Sequence, residues 1–147
     1  MTKQAATTGF TIQLGARARD VLTRLVRAGY PHETCGVLTG VHADGRTEIR
    51  GVVEARNLNT ERAHDRFELA PDDFVAADAT ARKAGLDVVG IWHSHPDHPA
   101  KPSKTDLERA WEGWSYIIVS VGKDGVKDIR SWRLWNGDFV EEQIDGE

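Results

Sequence analysis

In the segment IWHSHPDHPAKPSKTD, residues 91–106, a strand-like start carries His93 and His95, prolines interrupt it, and it ends on Ser103 and Asp106. Strand side chains alternate faces, so His93 and His95 point one way and Ser94 the other. Two strand rises separate their Cβ atoms by about 6–7 Å, from which two imidazoles can converge on one ion at about 2.1 Å each. Asp106 follows on the next predicted helix and approaches from a different element. Two histidines and a carboxylate give a tetrahedral zinc three protein ligands and leave a fourth position for water. One carboxylate leaves the centre net positive, which lowers the pKa of that water toward about 7 and makes hydroxide available at neutral pH. Taken alone, H-x-H also describes a packed or surface pair, and Ser103-x-x-Asp106 also describes a capping box.

These residues need a scaffold, and the hydropathy pattern supplies one. FTIQL (10–14) reads as a strand. ARARDVLTRLVRAG (16–29) reads as a helix with Ala18, Val21, Leu22, Leu25 and Val26 on one face and Gly29 as its cap. CGVLTG (35–40) is a buried strand, and the Asp-Gly of HADGR turns it into a second strand over 47–57. Residues 58–69 are irregular and charged. A second helix starts near Pro71, with Asp72 and Asp73 in its first turn, Arg82 and Lys83 in its last, and Gly85 beyond. DVVGIWHSH (87–95) is a strand. The spacing predicts a helix over 103–113 with Leu107, Ala110 and Trp111 inward. Three strands close the chain, joined at KDG and NG. The order β-α-β-β-α-β-α-β-β-β predicts an α/β (α+β) fold, one mixed sheet with helices packed on it.

The chain has 147 residues, enough for one domain (1–147, core about 10–144). With 39% hydrophobic and 29% charged residues it is expected to be globular. A net charge of −4 with no basic stripe argues against nucleic acid. The N-terminus has no apolar signal region, and no run approaches the roughly 18 residues of a membrane span, so a cytoplasmic location is expected. The single cysteine, Cys35, forms no internal disulfide and reads as a small core residue rather than a nucleophile. His32, His42 and His64 read as surface residues, and His98 as a loop residue outside the ligand set. Trp92 should face away from the histidines, while Trp132 and Trp135 could form a surface contact.

HSHPDHPAKPSKTD resembles the H-x-H-x7-S-x2-D signature of the JAMM, or MPN+, zinc peptidases. HETCGVLTG is similar to the upstream E-x-x-G segment of that family, and RFEL, PDDF and YIIVSV fall where it has similar stretches. The resemblance spans roughly residues 12–135. It implies cytidine-deaminase-like layering, one zinc per chain on His93, His95 and Asp106, and Glu33 as the general base that later returns its proton to the leaving amine. It also implies that Ser103 donates to the oxyanion. From the residues alone Glu54, Glu61, Asp65, Glu68 and Asp97 are equal candidates for the base.

Two rival readings are set aside and one is kept. A zinc deaminase needs H-x-E and P-C-x-x-C, which one cysteine cannot supply. The JAMM-like DNA-repair proteins carry a helix-hairpin-helix domain for which there is no room. The alternative kept is a non-catalytic scaffold of the same fold, against which the intact ligand positions count. The segments that hold two ubiquitins in eukaryotic members are short here, so the chain resembles the small prokaryotic members. That implies a peptidase or isopeptidase cutting an amide after the C-terminal Gly-Gly of a ubiquitin-like sulfur carrier protein, as monomer or homodimer. Such a tail is expected to add as a strand to an exposed sheet edge.

Overall fold

The computed structural model describes residues 9–62 and 66–146. Two dipeptides decide much of the connectivity. Asp44 and Gly45 (φ 51° and 79°) join β2 (Cys35–Ala43) to β3 (Arg46–Ala55). Asn136 and Gly137 (φ 54° and 82°) join β6 (Gly125–Trp135) to β7 (Asp138–Gly146). A type I′ turn needs both central residues in the left-handed region, which Asp-Gly and Asn-Gly tolerate best. The remaining strands are β1 (Thr11–Leu14), β4 (Asp87–Pro96) and β5 (Ser115–Gly122).

The sheet is mixed, as expected, and it also closes. Its order is β1-β3-β2-β4-β5-β6-β7, and β1 pairs in parallel with both β3 and β7. Each strand therefore has a neighbour on both sides, but β1 covers only Arg46–Glu48 of β3. The rest of β3 pairs with β2 alone, which leaves a stretch of strand edge without a strand partner among the described residues. Closure depends on a four-residue strand joining two distant ones, which no local pattern announces.

Helix α1 (Ala16–Gly29) buries Leu22 and Val26 against Ile12, Leu14, Leu38, Val89, Trp92 and Val119. Helix α2 (Pro71–Lys83) begins on proline and packs Ala77 and Phe74 against Val37, Val88, Ile91 and Trp114. Trp92 and Ile91 belong to different clusters, so the two helices cover opposite faces of β4. Gly29 lies inside α1, with Tyr30 as the cap, and it is not in the left-handed region. Its glycine is required instead by close approach, because a Cβ there would collide with the Thr34 methyl.

Helix α3 is shorter than expected, Lys104–Arg109. Ala110 turns extended (φ −79°, ψ 152°), so the 107/110/111 spacing is never wound into a face, and Trp111 is 68% exposed. The Trp111 backbone N–H instead donates to the Tyr116 hydroxyl at 2.6 Å. Trp132 is half-buried and donates its indole N–H to the Ala100 carbonyl at 3.1 Å, fastening the loop after β4, while Trp135 is exposed.

A buried ion pair ties β6 to β7. Arg133 Nε lies 2.9 Å from Glu142 Oε2. Glu142 also accepts from the Ser115 and Ser131 hydroxyls, and Arg133 donates to Thr47 Oγ1 on β3. Removing one member of a satisfied buried pair strands the other, which costs about 3–5 kcal/mol. Glu142→Ala is therefore expected to lose about that much in urea unfolding. A loss under about 1 kcal/mol would show that this network does not hold the barrel together.

Candidate active site

A bulge decides which way β4 presents its side chains. Leu38 pairs with Gly90 and Thr39 with Val88, so Val89 is the extra residue. Beyond it the alternation is regular. Trp92 enters the α1 core and donates to the Val53 carbonyl at 3.1 Å, while His93 and His95 face the opposite side. Their Nε2 atoms are 3.1 Å apart, and each lies 3.4 Å from Asp106 Oδ2. The expected ligand trio is thus brought together, its donor atoms all within 4.8 Å of one another.

Asp106 is aimed by the capping box of α3. The Ser103 backbone N–H donates to Asp106 Oδ2 at 2.8 Å, and the Asp106 N–H donates to Ser103 Oγ at 3.0 Å. The capping box expected of Ser103-x-x-Asp106 is present, and the same box that starts the helix also turns the carboxylate toward the histidines.

The two imidazoles are oriented differently. His95 Nδ1 lies 2.8 Å from the Pro99 carbonyl, which only accepts, so Nδ1 carries the hydrogen and Nε2 keeps its lone pair for the site. His93 Nδ1 has no hydrogen-bond partner among the described residues, and its ring is held by the Phe67 ring stacked on it at 4.5 Å and 27°. Burial lowers the His93 pKa, against the pull of Asp106. Burial also acts downward on His95, but Asp106, the Pro99 carbonyl and Glu33 outweigh it and the net shift is upward. Burial opposes ionisation of Asp106, yet hydrogen bonds from both histidines hold it far below the ordinary carboxylate range. A neutral-leaning imidazole, a second with its tautomer set, and a firmly ionised carboxylate suit a zinc-type ion.

Glu33 arrives by strand register. Cys35 pairs with His93, and the next step is fastened by Ser94, whose N–H donates to the Thr34 carbonyl and whose Oγ accepts from the Thr34 N–H, both at 2.9 Å. One residue further, Glu33 stands opposite His95. It is 7% exposed and lines the same cleft, of about 1050 Å³, as His93, His95, Ser103 and Asp106. Apolar side chains form much of the remaining wall, among them Leu69, Phe74, Trp111, Trp114 and Phe139.

Residues 15–135 match the family described as prokaryotic homologs of the JAB domain. The chain belongs to that family. A desampylase of Haloferax volcanii is 38% identical to this JAB-domain chain over 132 residues, covering 85% of it and 90% of the relative. A CysO-cysteine peptidase of Mycobacterium tuberculosis is 28% identical over 138 residues, covering 93% and 92%. A solved structure of a Desulfitobacterium hafniense protein superposes with a TM-score of 0.81 at 27% identity, covering 92% of each chain.

Among the other carboxylates weighed as a base in this JAB domain, Glu54, Glu61 and Asp97 are exposed and do not line the cleft. Glu68 lines it but is exposed, and Asp65 lies outside the described residues. His98 lines the cleft without joining the donor trio. His32 and His42 are exposed, and His64 lies outside the described residues. Cys35 is fully buried, and burial, reinforced by the charges of Glu33, Glu54 and Asp73, pushes its thiol up to about 12, so it stays protonated and inert as expected. No helix among the described residues is long and apolar enough to cross a membrane.

Proposed function

We propose that this JAB-domain protein is a zinc-dependent peptidase that hydrolyses the amide following the C-terminal Gly-Gly of a ubiquitin-like sulfur carrier protein. The observation that carries the reading is the convergence of His93, His95 and Asp106 in the wall of a cleft that also holds the buried Glu33. The likeness to a desampylase and to a CysO-cysteine peptidase, each over most of both chains, supports the choice of substrate class.

Zinc bound there would polarise the scissile carbonyl and acidify a water molecule. The protein's own groups do the rest. Glu33 accepts a proton from the attacking water and delivers it to the leaving amine, the work of a positioned carboxylate. Ser103 Oγ accepts the capping N–H of Asp106, which leaves its hydroxyl hydrogen for the oxyanion that forms at the scissile carbonyl. The tail lies in the cleft that the two histidines line. Residues without a Cβ can approach the buried histidines closely, which is why Gly-Gly fits before the cut.

The test is to incubate the enzyme with zinc and its host's carrier bearing a C-terminal cysteine or short peptide, and to weigh the products. Cleavage directly after Gly-Gly is expected, slowed strongly by Gly→Ala at the penultimate carrier position. An intact extended carrier alongside degraded casein would rule this substrate out.

Ser103→Ala separates two roles in one experiment. It should lower kcat by about 10²–10³, the scale of one oxyanion donor, and cost about 1 kcal/mol through the lost cap. A lowered melting temperature at unchanged kcat would leave Ser103 with its capping role alone.

A further inference from the structure

We propose that Asn57 is a positioning residue for the peptidase reaction: its carboxamide fastens the backbone of Glu33 and, through the strap 66–68, the ring stacked on His93. The inference rests on the function proposed above, because it acts through Glu33.

Asn57 follows β3 and forms an isolated bridge with Leu69, which brings the strap back beside it. Its side chain uses its whole hydrogen-bonding capacity. Nδ2 donates to the Glu33 carbonyl and to the Arg66 carbonyl, each at 3.1 Å. Oδ1 accepts from the Asn59 and Glu68 N–H groups, each at 2.9 Å. Two carbonyls on one side and two N–H groups on the other admit only one orientation of the amide, and they admit no carboxylate without losing both donors.

Each bond has a consequence for the site. Glu33 precedes β2, so its carbonyl lies beyond the strand's own ladder, and the Asn57 amide supplies a partner for it. Fixing that peptide plane fixes the direction in which the Glu33 side chain leaves the backbone. The same amide holds Arg66 and Glu68 on either side of Phe67, whose ring stacks on the imidazole that no Nδ1 hydrogen bond orients. Arg66 and Arg109 anchor the strap from its other side, through Thr105 Oγ1 at 2.8 Å and the Phe67 carbonyl at 2.7 Å. Asn57 is therefore the point at which the segments carrying Glu33 and Phe67 are held together. A displacement of about 1 Å in a reacting group costs about 10²-fold in rate.

The experiment measures zinc content, melting temperature and kcat on the extended carrier for Asn57→Asp and Asn57→Ala, each alone and combined with Glu33→Gln. Asn57→Asp keeps an oxygen for the Asn59 and Glu68 N–H groups, and so keeps the turn, but has no donor for the Glu33 carbonyl. Either single variant should retain its zinc and lose about tenfold or more in kcat. In the Glu33→Gln background the share that passes through Glu33 should vanish, so the further loss should be clearly smaller than in the single variant, the remainder being the share that passes through Phe67 and His93. Undiminished kcat in Asn57→Asp, or losses that multiply fully in the double variants, would overturn the proposal. If Glu33→Gln is slow while Asn57→Asp is fast, only this inference fails. If Glu33→Gln is itself as fast as the parent, the general-base assignment fails with it.

Discussion

Glu33→Gln lowers turnover of the extended carrier by about 10² or more, the usual scale for a positioned acid–base group, while zinc content and melting temperature stay close to those of the parent. The prediction follows from where Glu33 stands. It belongs to the chain just ahead of β2, outside the donor trio, so the ligands are untouched by its substitution. It is nonetheless buried beside His95, to which it adds negative charge, and it opens on the same cleft. Glutamine keeps the volume and shape of the side chain but cannot take a proton from water. Near-normal turnover in this variant would remove Glu33 from the mechanism, whatever the metal content proved to be. A variant that lost zinc as well would instead show that Glu33 supports the ligands.

His95→Ala empties the site. Elemental analysis of the purified parent should give about one zinc per chain and the variant close to none, with turnover falling to background. Removing one of three protein ligands leaves His93 and Asp106, too few for a tetrahedral site that already gives one position to water. Equal zinc in parent and variant would rule the ligand assignment out. Acidification should produce the same loss reversibly, because ligand histidines bind only when neutral. His95 has its pKa raised above the ordinary 6.5, so protons begin to compete with the metal at a pH above that value, and zinc affinity falls as pH is lowered through it. An affinity flat between neutral pH and pH 5 would contradict the assignment as firmly as the variant.

The helices and hairpins were readable because they are local. Pro71 with Asp72 and Asp73, and the two Asx-Gly turns, state their conformations within a few residues, and the structure has α2 and both hairpins where those signals stand. The pair His93 and His95 was readable for the same reason, since strand alternation places them on one face. Local signals failed where a pattern lacked a partner. The spacing of Leu107, Ala110 and Trp111 describes a helical face, but the chain turns extended at Ala110 and Trp111 is left in solvent. Gly29 looked like a cap and is instead a point of close contact with Thr34.

By itself the sequence determined the element order, the two-histidine face and the capping box that carries Asp106, because each follows from backbone periodicity or from bonds spanning three residues. The tertiary structure decided the rest. Barrel closure through β1, the Val89 bulge that sends Trp92 to the core, and the register that sets Glu33 opposite His95 are all pairings between segments tens of residues apart. Such pairings are selected by the fit of whole surfaces, and a strand's own side chains do not say which neighbour it will have. Glu33 shows the difference most plainly: among the carboxylates of this chain nothing local sets it apart, and only the strand beside it brings it to His95 and the cleft.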